Sequence, residues 1–160
     1  PHQIASRGWD AALPRMAVWV DLAIPAESAL ANPRATLRVY GTHFDHRGVE
    51  ARLQSARLLV EHARSGPPAI FMGDFNAEFS SPPLQTFVAA SYTSAVRACD
   101  PFNTLGTFNG FLDADGGRRI DYILCAPAIL PLTAQIHADR FDGIWPSDHF
   151  PVSATVQLGP

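Results

Sequence analysis

Four apolar stretches of this 160-residue chain end on, or enclose, side chains that are costly to bury. The alternating run Thr36–Phe44 leads to His43 and Asp45, and Ala69-Ile70-Phe71-Met72 runs straight into Gly73-Asp74-Phe75-Asn76. Asp121 lies inside the apolar run Arg118–Cys125, and Asp148-His149 stands just before Val152–Leu158. A carboxylate in such a setting has to be hydrogen-bonded, ion-paired or bound to a metal. Any one instance has a bland explanation: Gly, Asp and Asn build turns, and a histidine at a strand end is easily satisfied. Four in one chain favour a fold that gathers strand ends in one place.

The order of elements allows this. Met16–Ile24 is rich in strand formers and Pro25 stops it. After a polar connection over Ala26–Pro33 comes the strand Thr36–Phe44, and the two are expected to pair antiparallel. Between His46 and Arg64 the period changes. Val49, Leu53, Ala56, Val60 and Ala63 form a helical stripe, which Gly66-Pro67-Pro68 ends. Ala69–Met72 does not alternate, which suits a strand covered on both faces. A helix is expected over Pro82–Ala90, capped by Ser80 or Ser81, then an irregular stretch from Ser91 to Gly106. Strands follow at Arg118–Cys125, Thr133–Phe141 and Val152–Leu158. The sum, about six strands and two helices, is an α/β layered architecture with mostly antiparallel pairing. No repeat or second domain interrupts residues 1–160.

Composition narrows the chemistry. A hydrophobic share of 47% with 17% charged residues supports a real core, and no window of about 18 apolar residues offers a membrane span. Two cysteines, Cys99 and Cys125, cannot build a disulfide framework, and Cys125 reads as a buried thiol. A net charge of -3 argues against a broad basic face for nucleic acid, although a bound metal ion can offset phosphate charge locally. All 12 basic residues are arginine, so lysine nucleophiles and Schiff bases are excluded. A phosphate clamp here must be arginine, histidine, metal or backbone amide. The chain starts at Pro1 rather than Met, which reads as loss of upstream sequence and leaves its location open.

Taken in order, Thr42-His43-Phe44-Asp45, Gly73-Asp74-Phe75-Asn76, Arg119-Ile120-Asp121-Tyr122-Ile123 and Ser147-Asp148-His149-Phe150-Pro151 resemble the serial motifs of the endonuclease/exonuclease/phosphatase superfamily, the deoxyribonuclease I-like fold. Thr107-Phe108-Asn109-Gly110-Phe111 resembles a segment common in its bacterial members. The resemblance runs from Met16 to Leu158. It implies a two-sheet sandwich flanked by helices and hydrolysis of a phosphate ester with Mg2+ or Mn2+. It also implies His149 as the general base, with Asp121 accepting the proton of its other ring nitrogen. Asp148 and Asp74 would serve the metal site. Asp74 and Asn76 would hold the attacking water and a nonbridging oxygen, and His43 would meet the phosphate or the leaving group. Asn109 and Trp145 join the expected substrate-binding set, Trp145 either stacking on substrate or packing at the lip. The residue types suit the reaction, because phosphoryl transfer gains most from positioning and from stabilising charge on the oxygens.

Members of that superfamily usually span about twice this length, and their first half supplies an Asn and a metal-binding Glu. Glu27, Glu50, Glu61 and Glu78 stand in loops or on a helix's outer face, not at strand tips. The resemblance therefore places residues 1–160 as the C-terminal part of such a domain. It is expected to be incomplete alone, and to need its N-terminal half or a homodimer partner over an exposed apolar face. Substrate is left open among nucleic acid, lipid and small phosphate esters. Ile120-Asp121-Tyr122 differs from the Cys-Asp-Arg run of inositol phosphatases and argues against that branch. Two other classes fit the sequence less well. A catalytically dead scaffold sits poorly with retention of both histidines, and a calcium loop over Asp113, Asp115, Gly116 and Gly117 lacks the full ligand set.

Overall fold

The computed structural model describes residues 7–25, 36–112 and 117–159. The expected connection over Ala26–Pro33, Glu27, and Asp113 to Gly116 lie outside the described residues. Among the described residues seven strands and three helices follow in order: β1 (Ala17–Ala23), β2 (Thr36–His43), α1 (Val49–Ala63), β3 (Ala69–Asp74), α2 (Pro82–Ala89), β4 (Thr93–Ser94), α3 (Ala95–Cys99), β5 (Asp121–Cys125), β6 (Ile129–Ile136) and β7 (Val152–Leu158). One sheet runs β1-β2-β3-β5-β4 and the other is the β6-β7 pair. β1 and β2 pair antiparallel as expected, and β2 with β3 is parallel, joined by α1 as a crossover.

Strand alternation divides the core between the two faces of the larger sheet. Tyr40 and Phe71 pack under α1 and α2 with Ala56, Ala63, Leu84 and Phe87. Leu37, Ile70 and Cys125 point the other way, against Ile129, Ala134, Ala154 and Val156 of the β6-β7 pair. Ala69, Ile70 and Phe71 are thus buried on both faces, as their unalternating run suggested. Cover on the second face stops short. Met72 is 44% exposed, and Val18, Val20 and Leu22 of the edge strand β1 are 60%, 51% and 44% exposed.

Four expectations need correction. The stretch from Ser91 to Gly106 contains β4 and α3, elements of two and five residues that are too short to carry a period. β6 begins at Ile129 rather than Thr133 and ends before Phe141. It holds Pro131, tolerated because the register shifts between Pro131 and Thr133. β5 starts at Asp121 rather than Arg118, since the preceding residues bond the 105–108 segment: the N–H groups of Thr107 and Phe108 both donate to Arg118 O. Val49, placed on the helix stripe, is 65% exposed.

Gly73, paired with Thr42 of β2, has no room for a side chain. Its φ is +135°, and a Cβ there would lie 2.0 Å from Thr42 O. Gly73→Ala is therefore expected to cost about 2–4 kcal/mol through backbone overlap and a disfavoured φ. A denaturant titration within about 0.5 kcal/mol of wild type would contradict that packing.

Candidate active site

Two strand registers assemble the site. In the parallel pair His43 is opposite Asp74, and in the antiparallel pair Asp74 is opposite Asp121. The three residues form one row across β2, β3 and β5, on the face that looks toward the second sheet. Neighbouring strands lie about 4.8 Å apart, so the row brings its side chains within bonding range. His43 Nε2 is 3.3 Å from Asp74 Oδ2.

His149 reaches the end of this row from the loop before β7. Its Nδ1 lies 2.8 Å from Asp121 Oδ2. A carboxylate there favours the tautomer with hydrogen on Nδ1, which leaves the Nε2 lone pair facing outward. Burial opposes charge on His149, yet the hydrogen bond and charge of Asp121, with Asp74 and Asp148, raise its pKa above 6.5. Burial lifts the Asp121 carboxyl above its usual value, against the pull of Thr107 and His149. His43 moves down instead, through burial first and also through Arg15 and His149, with Asp74 opposing. The two histidines are thus driven apart by their surroundings.

A second tier of contacts holds the row. Asp74 Oδ1 accepts the Asn76 N–H at 2.7 Å, and Asn76 Nδ2 donates to Phe44 O at 2.9 Å and to Asp74 Oδ2 at 3.2 Å. Asn76 has φ 47°, a left-handed conformation that asparagine tolerates better than most residues. Both its amide donors are engaged, so its evident work is to orient Asp74. Thr107, fully buried, takes the N–H groups of Ile120 and Asp121 on Oγ1, at 3.0 and 3.1 Å. Phe108 sets its ring edge-on to His149 with centroids 5.0 Å apart. In the sequence Thr107 and Phe108 carry no signal beyond the resembling segment, because their partners are more than ten residues away.

The remaining expected residues stand further back. Asp148 O accepts the N–H of Asn109 and of Gly110, and its side chain accepts a long 3.4 Å contact from Ser147 Oγ. The carboxylate of Asp148 is outside the group formed by Asp74, Asp121 and His149, whose ligand atoms lie within 4.8 Å of one another. Asn109 is 3% exposed, donates from Nδ2 to Ser147 O and accepts the Phe111 N–H, so it holds the His149 loop rather than facing solvent. Trp145 packs on Phe150, with the Arg140 guanidinium 4.1 Å from its ring centroid. Asp45, the last residue of the first motif, turns inward. It is 1% exposed and accepts backbone N–H bonds from Ala12, Leu13, Arg47 and Gly48.

Asp74 and Asp121 offer oxygen donors of the kind Mg2+ and Mn2+ prefer, and His149 adds a nitrogen donor. The donor set fits a divalent cation, with room for other ligands, because a groove of about 510 Å³ opens along Met72, Asp121 and His149.

The model of the endonuclease/exonuclease/phosphatase family matches residues 6–149. A comparison with curated proteins returns no match. Among solved structures, the chain is similar to an endonuclease/exonuclease/phosphatase from Bacteroides vulgatus, with 28% identity and a TM-score of 0.84 over 99% of this chain and 61% of that one. It is also similar to the mannosyl-6-phosphatase Bt3783 of Bacteroides thetaiotaomicron, with 28% identity and a TM-score of 0.80 over 96% and 61%. D. rerio TDP2, solved with a single-strand DNA product, shares the fold at 13% identity and a TM-score of 0.64, over 90% and 68%. The chain thus spans about 60% of the length of the first two. A match over most of its residues, on the fold and strand-end row described above, places the chain in the endonuclease/exonuclease/phosphatase family.

Proposed function

We propose that this chain carries the reaction centre of a divalent-metal-dependent hydrolase of phosphate esters, of the phosphodiesterase type. The observation that carries this reading is the 2.8 Å Asp121–His149 bond at the end of the His43–Asp74–Asp121 row. Nε2 of His149 takes the proton of the attacking water, and Asp121 holds the ring and stabilises the imidazolium that forms. His43 faces the phosphate or its leaving oxygen from the other end. Asp74 and Asp121, with Asp148 brought in from the adjacent loop, are the acids that would hold Mg2+ or Mn2+. Bound there, the cation supplies charge stabilisation for the phosphate oxygens. Because Mg2+ prefers oxygen, His149 stays free to act as base.

A second substrate reading, a sugar phosphomonoester, is favoured by the similarity to a mannosyl-6-phosphatase. On either reading the apolar strip of Val18, Val20, Leu22 and Met72 is covered by further polypeptide or by a second copy. The 160 residues alone are then expected to be nearly inactive. The test is hydrolysis by the full-length protein, with Mg2+ or after EDTA, of plasmid DNA, abasic duplex, sphingomyelin, a mannose 6-phosphate glycan and an aryl phosphodiester. Asp74→Asn should raise the Mg2+ concentration needed for half-maximal rate about 10–100-fold, as loss of a ligand or its orienting partner does. Full activity in EDTA would rule the metal out, and full activity of the 160 residues alone would rule out the need for cover.

A further inference from the structure

At the same strand ends as the reaction centre but on the helical face of the sheet, opposite the His43–Asp74–Asp121 row, Arg97, Arg118 and Arg119 line one open groove of about 670 Å³ with Phe79, Glu78 and Asn103. Three guanidinium groups face a single lining carboxylate, in a chain whose net charge is -3. The Arg97 guanidinium lies flat over Phe79, 4.4 Å from the ring centroid. Arg119 donates only to neutral acceptors, Leu105 O and the main-chain and side-chain oxygens of Asn103. Arg118 is exposed, and its side chain has no hydrogen bond or ion pair among the described residues. Packing and loop contacts account for Arg97 and Arg119, whereas Arg118 makes no such contact, and one lining carboxylate, Glu78, does not balance the three charges.

Position links the groove to the chemistry. Arg118 is three residues before Asp121, and Glu78 is two beyond Asn76. At about 3.6 Å per residue their backbones are at most ~11 Å and ~7 Å from those site residues. A substrate with one phosphate places its whole charge at Asp74, Asp121 and His149 and leaves nothing for the arginines. Only a substrate with further anions uses both places.

We propose that the Arg97–Arg118–Arg119 groove is a second phosphate-binding subsite, which takes a non-scissile phosphate of a phosphodiester chain whose neighbouring ester is cleaved at His149. The proposal rests on the phosphodiesterase reading above and names its substrate class. Guanidinium forks match phosphate oxygens in pairs, and one strand presents a charge about every 3.4 Å of helix axis, so a phosphate falls within reach of the groove. Arg119 also braces the 103–105 loop, so Arg97 and Arg118 are the residues to vary.

The experiment uses the full-length protein. Binding of a labelled 12-nucleotide single-stranded DNA is followed by anisotropy in EDTA from 50 to 300 mM salt. The slope of log K against log salt should fall by about 1.4 in Arg97→Gln/Arg118→Gln, since each lost single-strand contact removes about 0.7. The double lysine variant should recover most of the slope, because charge is kept. With Mg2+, the double glutamine variant should lower kcat/KM for the oligonucleotide at least tenfold relative to that for bis(p-nitrophenyl) phosphate, which has one phosphate. A wild-type slope together with a wild-type ratio overturns the subsite, as does wild-type protein that binds the strand without salt dependence. His149→Ala is read on bis(p-nitrophenyl) phosphate alone, so the catalytic reading stands or falls separately.

Discussion

His149→Ala is expected to slow phosphate-ester hydrolysis about 10²–10⁴-fold, the usual contribution of a positioned general base. The expectation rests on geometry. The ring is fixed by Asp121 at 2.8 Å on one nitrogen, by Phe108 on its face, and by a loop that Asn109 ties down. Nothing in the core depends on the side chain, which is partly exposed, so melting should change little. Asp121→Asn tests the same idea from behind. The amide can present a donor to Nδ1, which favours the opposite tautomer and turns the lone pair away from solvent. Its rate should fall strongly while KM moves little, because the ring is misprotonated rather than absent. A His149→Ala rate within about threefold of wild type would defeat the assigned mechanism.

Asp45→Ala is expected to be the most destabilising of the single changes, by about 3–5 kcal/mol, because several buried N–H groups lose their acceptor. The carboxylate ties Ala12 and Leu13 to Arg47 and Gly48, so one side chain joins the 10–15 segment to the start of α1. The segment in turn brings Asp10, whose carboxylate accepts the N–H groups of Glu50 and Ala51 at the first turn of the helix. Burial alone would raise the Asp45 pKa. The four backbone donors outweigh it and hold the group well below 3.8. The folded pKa is therefore depressed. Its stabilisation is fully present above the unfolded value of 3.8 and is lost as pH falls below that toward the folded value. Denaturant midpoints taken at pH 7 and at steps below pH 3.8 should show wild type losing stability only below 3.8 and Asp45→Asn losing less there. A loss under about 1 kcal/mol for Asp45→Ala, or parallel acid profiles for wild type and Asp45→Asn, would contradict this role.

The long-period features were legible in the chain itself. α1, α2, β1, β2 and β7 fall where apolar spacing and Gly or Pro stops put them, because each is long enough to show its period, and β3 falls on its unalternating apolar run. The row His43, Asp74, Asp121 and the facing His149 was also visible as acids and imidazoles set against apolar runs, since burying such groups is too costly to be accidental. β4 and α3 were not visible, being single short turns and pairings set by neighbours.

What only the tertiary structure decided is which of those polar groups share a site. Asp45 and Asp74 stand in similar strand-end motifs, yet one feeds its charge into a helix start and the other into the row. The difference lies in register and side-chain direction, and in donors from residues 12 and 13, more than thirty positions away. Asn109, expected at the substrate, is turned behind the His149 loop by the same kind of distant contact. Sequence specified the inventory of reactive groups and the strands that carry them, because local period and burial cost act on neighbours. Long-range pairing alone assigned each group its place, because hydrogen-bond geometry between strands leaves no trace in the order of residues.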